Sequence, residues 1–239
     1  MKRLFLSVFM LLVAFATFAQ SRPKLIVGIV VDQMRWDYLH RYYNLYCEGG
    51  FKRLMNEGFD CENTMINYIP AITAVGHTSI YTGTVPSIHG IQANNFLLNG
   101  KMTYCTADST VSGVGTDSKA GQMSPRNMLT TTIGDELKVA TNFKSRVFGV
   151  SIKDRAAILP AGHAADAAYW IDSKQSKFIT SNYYMKQLPA WVEKYNKKIS
   201  KYTSDQISYS PVGNEVTIDM AKNVISNEKL GQQGETDML

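Results

Sequence analysis

The segment that most constrains the fold is KLIVGIVVDQM, residues 24–34, an unbroken run of mostly β-branched apolar residues that ends at Asp32. Such a run lacks the polar alternation of a strand with one wet face, and it is typical of a strand buried on both sides. Parallel sheets covered by helices bury their strands in this way. The segment therefore predicts a central parallel strand with an acidic side chain at its carboxyl end.

Signals for helices and further strands alternate along the rest of the chain. Helices are predicted at GGFKRLMNEGF (49–59), AVGHTSIYTG (74–83), SPRNMLTTTIGDELKVAT (124–141, with Ile133 and Leu137 on one side) and NEVTIDMAKNVISNEKL (214–230, with Gly231 as a cap). Strands are predicted at CENTMINY (61–68), TYCTADSTV (103–111), RVFGVSIKDRAAILP (146–160) and TDML (236–239), and a long exposed loop at residues 111–125. This alternation predicts an α/β fold with a mostly parallel sheet flanked by helices.

The first residues, MKRLFLSVFMLLVAFATFAQ, have the layout of a secretory signal peptide. Lys2 and Arg3 precede an apolar run that ends in small residues, which predicts cleavage after Ala19 and export to the periplasm or beyond. The alternative is an uncleaved N-terminal anchor, for which the apolar run is short. No stable membrane anchor is therefore expected in the mature chain.

Composition and charge narrow the possible partners. The chain is 45% hydrophobic and 19% charged, as is typical of a soluble globular protein. Its formal charge of +5 falls to +3 when Lys2 and Arg3 leave with the signal peptide, and no basic stripe carries interleaved aromatic residues, so nucleic acid is not an expected partner. The three cysteines (Cys47, Cys61 and Cys105) show no zinc-site spacing, and the sequence does not determine how they pair.

The stretch PAITAVGHTSIYTG, residues 70–83, raises the question of which hydroxyl does chemistry. Thr73 lies where a helix is predicted to begin. A threonine there is commonly an N-cap, yet its oxygen would also lie beside free N–H groups that suit a phosphate. Thr78 and Thr82 lie further along and are expected to bond to backbone carbonyls. The four histidines are expected to be structural rather than metal ligands: His40, His77, His89 and His163.

Two further groups could contact an anion. On a strand, Lys153 and Arg155 would point to one face and Asp154 to the other, and arginine can grip a phosphoryl group with two parallel hydrogen bonds. An exposed charged strand end is the alternative interpretation. Asn94 could donate its amide N–H to an oxyanion, although asparagine pairs often only form turns. Asp32 could likewise hold a cation or simply close a turn.

Three segments together resemble the alkaline phosphatase superfamily: VVDQMRWDY, NYIPAITAVGHTSIYTGTVPSIHGIQANNF and SIKDRAAILPAGHAADAAYW. Within it, residues 24–195 are most similar to the secreted phosphate-irrepressible alkaline phosphatases that have a threonine nucleophile. The resemblance implies an alkaline-phosphatase-like fold and zinc-dependent hydrolysis of phosphate monoesters through a phospho-threonine intermediate. It assigns the site residues as follows: Asp32 as a ligand of one of two zinc ions, Thr73 as the nucleophile and a zinc contact, and Asn94, Lys153 and Arg155 as phosphate-binding groups.

The sequence departs from this family in its metal ligands. The family's other zinc ligands are Asp and His residues on later strands, and no histidine follows His163 here. TDML resembles the strand that leads to them. Residues 20–239 are therefore expected to be the N-terminal part of one catalytic domain, incomplete at the C-terminus and with half of an active site.

Three alternatives remain for the function. A phosphodiesterase or nucleotide pyrophosphatase of the same superfamily would share Thr73 and Asn94 but lack the Lys153 and Arg155 pair. A sulfatase would need Cys or Ser in a C/S-x-P-x-R context, and TAVGH lacks the Pro and the Arg. A non-catalytic anion-binding fragment is the third alternative.

Overall fold

The computed structural model describes residues 22–239, and the predicted signal peptide, residues 1–19, lies outside the described residues. In chain order, the strands are β1 (Leu25–Ile26), β2 (Asn95–Leu98), β3 (Lys101–Tyr104), β4 (Gly113–Val114), β5 (Phe148–Val150), β6 (Ala167–Asp172), β7 (Lys177–Ser181) and β8 (Asp237–Met238). The α-helices are α1 (Tyr38–Arg41), α2 (Phe51–Glu57), α3 (Thr73–Thr82), α4 (Pro86–His89), α5 (Ile133–Ala140), α6 (Asp154–Ala161), α7 (Ala190–Ile199), α8 (Ser204–Tyr209) and α9 (Val212–Asn227). Short 3₁₀ helices lie at Tyr43–Leu45 and Lys119–Gly121.

A mixed sheet lies at the centre of the fold. Its strands follow the order β4, β7, β6, β5; β5 and β6 run parallel, and β7 runs antiparallel to both of its neighbours. Beyond β5, Val147 and Met238 form a parallel bridge, and β8 pairs in parallel with β1. The α/β prediction is confirmed, although the sheet is mixed rather than mostly parallel.

Alternate side chains of β6 contribute to two separate cores, one on each face of the sheet. Tyr169 and Ile171 lie in the larger core with residues of α7, α8 and α9. Ala168 and Trp170 lie in the second core with residues of α6. This alternation follows from the two-residue period of a strand. Because β6 is buried along its whole length, it occupies the central position that the sequence predicted for residues 24–34.

The predicted central strand at residues 24–34 is wrong in its burial. Only Leu25 and Ile26 form a strand; the apolar residues that follow are exposed, Ile29 by 79% of its surface. Among residues 22–239, β8 is the only strand that pairs with β1, and Val27 and Val31 stay about half exposed. The predicted parallel direction is confirmed.

The predicted strand at residues 61–68 does not form. These residues have no strand neighbour in the described part of the chain, and a strand without a neighbour leaves its backbone groups to water. Their apolar side chains, Met65 and Ile66, are exposed. Local β-propensity was outweighed here by the absence of a partner.

The strand predicted at residues 103–111 lies earlier in the chain. β2 and β3 form an antiparallel hairpin in which Asn95 faces Tyr104. Asn99 and Gly100 make its turn, both with positive φ, as a tight two-residue hairpin turn requires. The hairpin ends at Tyr104, and the residues after it turn away from the strand.

Residues 146–160 form a short strand and a helix rather than one strand. β5 ends at Val150, and α6 begins at Asp154 with Lys153 as its N-cap residue. Asp154 favours a helix start because its negative charge complements the helix dipole. Pro160 lies near the end of α6, where it removes only one backbone hydrogen bond. The predicted strand geometry of Lys153 and Arg155 is therefore wrong.

Residues 111–125 are packed rather than exposed. Ser124 is fully buried. The buried carboxylate of Asp172, at the end of β6, accepts hydrogen bonds from the hydroxyls of Thr116 at 2.6 Å and Ser118 at 2.8 Å. The polar side chains that predicted an exposed loop are partners of a buried acid instead.

Helix α5 buries a polar face. It begins with a capping box, in which Thr132 and Asp135 exchange backbone and side-chain hydrogen bonds. Lys138 is buried and contacts Asp166 Oδ2 at 2.7 Å, whereas Ile133 is 56% exposed. The predicted apolar side of this helix is therefore not the side that packs.

The remaining elements agree with prediction except at one boundary. α2 and α3 end at the predicted Gly58 and Gly83, and Gly83 adopts the left-handed conformation with φ +64°. Helix α9 ends with Glu228 as its C-cap, three residues before the predicted Gly231. The predicted strand at residues 236–239 forms as buried β8. None of the helices within residues 22–239 is long and apolar enough to cross a bilayer.

Candidate active site

Asp32 and Thr73 lie in contact. Thr73 is the first residue of α3, and its Oγ1 donates a hydrogen bond to Asp32 Oδ2 at 2.8 Å. Ile72, not Thr73, is the N-cap residue, and its own side chain makes no capping hydrogen bond. The N-cap interpretation of Thr73 is therefore wrong, and its hydroxyl is directed at the carboxylate.

The second oxygen of Asp32 closes a turn. Oδ1 accepts a hydrogen bond from the backbone N–H of Gln33 at 2.9 Å, and Gln33 adopts a positive φ of 57°. The turn interpretation of Asp32 is confirmed, since one carboxylate oxygen fixes its own turn while the other accepts from Thr73; cation binding by Asp32 stays a prediction. Asp32 is exposed, so its charge is accessible to a cation.

Asn94 lies beside the same helix start. Its Oδ1 accepts a hydrogen bond from the backbone N–H of Ala74 at 3.0 Å. Because a backbone N–H can only donate, this contact fixes the amide orientation and leaves Nδ2 for another acceptor. The amide oxygen therefore satisfies one N–H group in the first turn of α3, and the amide N–H groups remain available next to Thr73.

Lys153 and Arg155 lie at the start of α6. Lys153 is exposed, and Arg155 is half-buried with its Nη1 donating to Tyr104 Oη at 2.9 Å. Tyr104 Oη in turn donates to Asp154 Oδ1 at 3.0 Å, and Thr106 Oγ1 donates to Asp154 Oδ2. These contacts make a polar chain from the hairpin to the positive charge of α6.

His77 connects the two groups of residues electrostatically. Helix α3, which carries it, packs against α6. Burial lowers the pKa of His77; the Asp32 charge raises it and the Arg155 charge lowers it. The helix that begins at Thr73 and the helix that carries Arg155 therefore lie side by side. The ring Nδ1 donates to the Thr73 carbonyl at 2.8 Å, a structural contact as predicted.

Burial keeps two neighbouring groups protonated. It raises the pKa of Tyr104 well above its usual value of 10, and the nearby Asp154 charge raises it further. It also raises the pKa of the Cys105 thiol to about 12. Burial therefore favours the neutral phenol of Tyr104 and the neutral thiol of Cys105. Burial also raises the pKa of Asp154, against the hydrogen bonds from Thr106 and Tyr104.

A cavity of about 270 Å³ adjoins the start of α6. Its lining combines charged side chains, among them Lys153, Asp154 and Arg155, with apolar ones such as Met123 and Trp170. The cavity gives a ligand access to the side chains of α6 from the protein surface.

The other three histidines contact neighbouring groups rather than the candidate site residues. His89 bonds to Ser79 at 3.0 Å and to the Ile91 backbone N–H at 3.1 Å. His163 contacts the Met128 carbonyl at 3.0 Å, and exposed His40 lies against the Trp36 ring. Thr78 and Thr82 donate to backbone carbonyls as predicted.

The metal-ligand set is small. Within residues 22–239, no three His, Cys, Asp or Glu side chains converge as a metal site would require. Asp32 and Thr73 offer one carboxylate and one hydroxyl, whereas a catalytic zinc takes about three protein ligands. These residues alone do not fit a two-zinc centre.

Sequence reasoning missed Tyr104 and Thr106. Both lie in the segment predicted as a strand, and no local pattern marked them. The only available signal was indirect: an arginine and a neighbouring aspartate at residues 154–155 need buried partners.

Residues 26–239 match the family described as type I phosphodiesterase/nucleotide pyrophosphatase. A Myroides odoratus protein named calcium-transporting ATPase is 47% identical over 262 aligned positions, covering 88% of this chain and 48% of that protein. Alkaline phosphatase PafA of Elizabethkingia meningoseptica is 59% identical over 185 positions, covering 76% of this chain and 34% of PafA.

Solved structures of PafA share the fold. The wild-type structure matches with a TM-score of 0.88 and 44% identity, covering 92% of this chain and 52% of that one. A variant with a threonine replaced by serine, and an asparagine, a lysine and an arginine replaced by alanine, also matches with a TM-score of 0.88. The chain spans about half the length or less of the curated relatives it matches.

Proposed function

The chain belongs to the type I phosphodiesterase/nucleotide pyrophosphatase family of the alkaline phosphatase superfamily, and we propose that the whole protein hydrolyses phosphate monoesters through Thr73. The observation that carries this proposal is the 2.8 Å hydrogen bond from Thr73 to Asp32 at the start of α3, with Asn94 beside it. A hydroxyl held by a carboxylate next to helix N–H groups is suited to attack on a bound phosphoryl group.

The reaction proceeds in two displacements. Thr73 Oγ attacks phosphorus, the ester P–O bond breaks, and the alcohol leaves with a proton, which gives phospho-Thr73. Water then attacks the same phosphorus, the Thr73–phosphate bond breaks, and inorganic phosphate leaves. A free threonine hydroxyl is a weak nucleophile; Asp32 orients it by accepting its hydrogen bond.

Zinc is the cofactor we propose for the whole protein, with two ions in a complete site. When bound, zinc lowers the pKa of a coordinated hydroxyl or water. Asp32 and Thr73 would contribute ligands, but as noted they do not complete a site.

Asn94, Lys153 and Arg155 are the proposed phosphate-binding groups. Asn94 Nδ2 and the guanidinium donate hydrogen bonds, and Lys153 adds an exposed positive charge. Donors fixed where negative charge moves contribute strongly to phosphoryl transfer. The PafA variant supports this choice: it replaces the same four residue types, and its threonine and asparagine are as far apart in sequence as Thr73 and Asn94.

A phosphodiesterase is the second candidate, favoured by the description of the matching family. We prefer the monoester because its phosphoryl group carries one more negative charge than a diester, and two cations follow one another closely at Lys153 and Arg155. The test compares kcat/KM for an aryl phosphate with that for the matching aryl methyl diester, in the whole protein with zinc present. We expect the monoester to be preferred; a preference for the diester would favour the second candidate.

Export is a separate proposal. The layout of residues 1–19 supports cleavage after Ala19 and a periplasmic or extracellular location. Sequencing the N-terminus of the protein recovered from the periplasm or medium tests it. A mature chain that begins at Gln20 is the expected result, and Met1 on an exported chain would contradict it.

A further inference from the structure

Arg155 is held by a neutral phenol rather than by a carboxylate. Its Nη1 donates to Tyr104 Oη at 2.9 Å, and no Asp or Glu in residues 22–239 forms an ion pair with it. Its Nε is buried and has no hydrogen-bond partner in this part of the chain. The guanidinium charge is therefore not neutralised by an ion pair in this part of the chain, and its buried Nε donor is unused.

The direction of each hydrogen bond at Tyr104 follows from donor counting. A guanidinium can only donate, so Tyr104 Oη accepts from Arg155. The single hydrogen of the phenol then goes to Asp154 Oδ1 at 3.0 Å. Thr106 engages the other carboxylate oxygen. Asp154 is thus occupied by two hydroxyls although Arg155 is its neighbour in sequence.

The hairpin links Tyr104 to the second phosphate-binding group. Asn95 faces Tyr104 across the two strands, and the N–H of Cys105 donates to the Asn94 carbonyl at 2.9 Å. Asn94 and Tyr104 therefore lie at the same end of one hairpin. Through these contacts the hairpin fixes the Asn94 amide and the Arg155 guanidinium relative to each other.

We propose that Tyr104 is a positioning residue that holds the Arg155 guanidinium towards the phosphoryl group and keeps Asp154 from neutralising it. The inference rests on the proposed function, since it concerns the same site. Without the phenol oxygen, Arg155 loses its anchor and Asp154 loses a donor. A direct ion pair between Arg155 and Asp154 then replaces both contacts and withdraws the charge from the substrate.

The test is a double-mutant cycle in the whole protein with zinc present. Tyr104→Phe, Arg155→Ala and the double variant are compared by kcat and KM for an aryl phosphate and by the inhibition constant of inorganic phosphate. Tyr104→Phe is expected to lower kcat/KM and to weaken phosphate inhibition by about tenfold, as for loss of one hydrogen bond to a charged group. In the Arg155→Ala background the same change should alter both values by less than about twofold.

Tyr195→Phe is the matched control. Tyr195 is buried on α7, and its Oη donates to the Val216 carbonyl at 2.9 Å, in the core on the other side of the sheet. Its loss is expected to lower the thermal midpoint without changing kcat/KM or phosphate inhibition. A variant at Tyr104 that behaves in the same way would have a structural role only, which would overturn the inference.

The other outcomes separate this inference from the proposed function. An equal effect of Tyr104→Phe with and without Arg155 would show that the phenol acts elsewhere, and would leave the proposed function intact. If Arg155→Ala hydrolyses the monoester as well as the wild type, the proposed phosphate contact fails and the inference with it.

Discussion

Thr73 and Asp32, 41 residues apart in sequence, meet through a hydrogen bond of 2.8 Å between Thr73 Oγ1 and Asp32 Oδ2. Asp32 follows β1, and Thr73 begins α3. The contact therefore joins the region beyond a strand's carboxyl end to a helix N-terminus, a place where α/β proteins commonly bind anions.

Replacing Thr73 tests the nucleophile. Thr73→Ala should lower kcat by about a thousandfold or more, because no covalent intermediate can form, whereas Thr73→Ser should keep measurable turnover. Mass spectrometry of acid-quenched protein should find phosphate on residue 73 in the wild type and in the serine variant. Thr217→Ala, which removes a hydroxyl bonded only to the Gly213 carbonyl, is the control. Phosphate on another residue would refute the assignment.

Asp32→Asn tests the metal ligand. The amide oxygen can still accept the Thr73 hydrogen bond, but the charge that would attract a cation is gone. We expect zinc affinity of the whole protein to fall at least about tenfold, measured by metal analysis after dialysis against zinc buffers. Asp205→Asn on α8 removes one carboxylate at a distance and serves as control. Equal zinc retention by both variants would contradict a ligand role for Asp32.

Removing the metal is a separate test of cofactor dependence. Treatment of the whole protein with a chelator should abolish hydrolysis of an aryl phosphate, and added zinc should restore it. Magnesium or calcium at the same concentration provides the comparison. Full activity after complete removal of zinc would rule out zinc as the cofactor.

Two substitutions at Asn94 separate its roles. Asn94→Asp keeps an oxygen to accept from the Ala74 N–H but places a negative charge against the phosphoryl group. Asn94→Ala loses the contact to the helix, at a cost of about 1 kcal/mol. We expect the Asp variant to be the more stable and the less active of the two, by thermal denaturation and kcat/KM. If the Asp variant were both the more stable and the more active of the two, that result would argue against phosphate binding by Asn94.

The contact of His163 with Asp135 should make stability depend on pH. His163 Nδ1 lies 3.5 Å from Asp135 Oδ2, and the hydrogen bond to Asp135 raises the pKa of His163 above its usual 6.5. Burial raises the pKa of Asp135, but hydrogen bonds, first from His163, lower it to about 2. The stabilisation is fully present between pH 3.8 and 6.5; it is lost as pH rises through the raised pKa of His163, and as pH falls towards 2.

A glutamine variant measures this dependence. His163→Gln should lower the thermal midpoint by about 3 °C at pH 5.5 and by less at pH 9, because the imidazolium contributes only while it is protonated. His40→Gln, on an exposed residue, should show no such difference. A loss of stability that is equal at both pH values would indicate that the imidazole only packs.

The candidate site was more predictable than the fold around it. Asp32, Thr73 and Asn94 occur in segments whose local pattern and family resemblance could be recognised, and the family match and the PafA fold confirm that resemblance. The structure brings these three side chains together. Whether Lys153 and Arg155 act with them remains a proposal.

Elements that depend on distant partners were predicted less well. The apolar pattern of residues 24–34 could not show that only β8 would pair with β1. Residues 146–160 carry a strand-like apolar run, yet helix α6 forms after Lys153 because its first turn is favourable. Tyr104 could not be found at all, since its importance lies in contacts with Asp154 and Arg155, about fifty residues away in sequence.

The pairing of β1 with β8 also dictates an order of assembly during synthesis. Leu25 and Ile26 pair with Asp237 and Met238. Strand β1 therefore cannot pair until nearly the whole described chain has left the ribosome. Closing so long a loop is slow compared with forming the local hairpin or the helices. Until then, the strand edge of Leu25 and Ile26 has no partner in the described part of the chain.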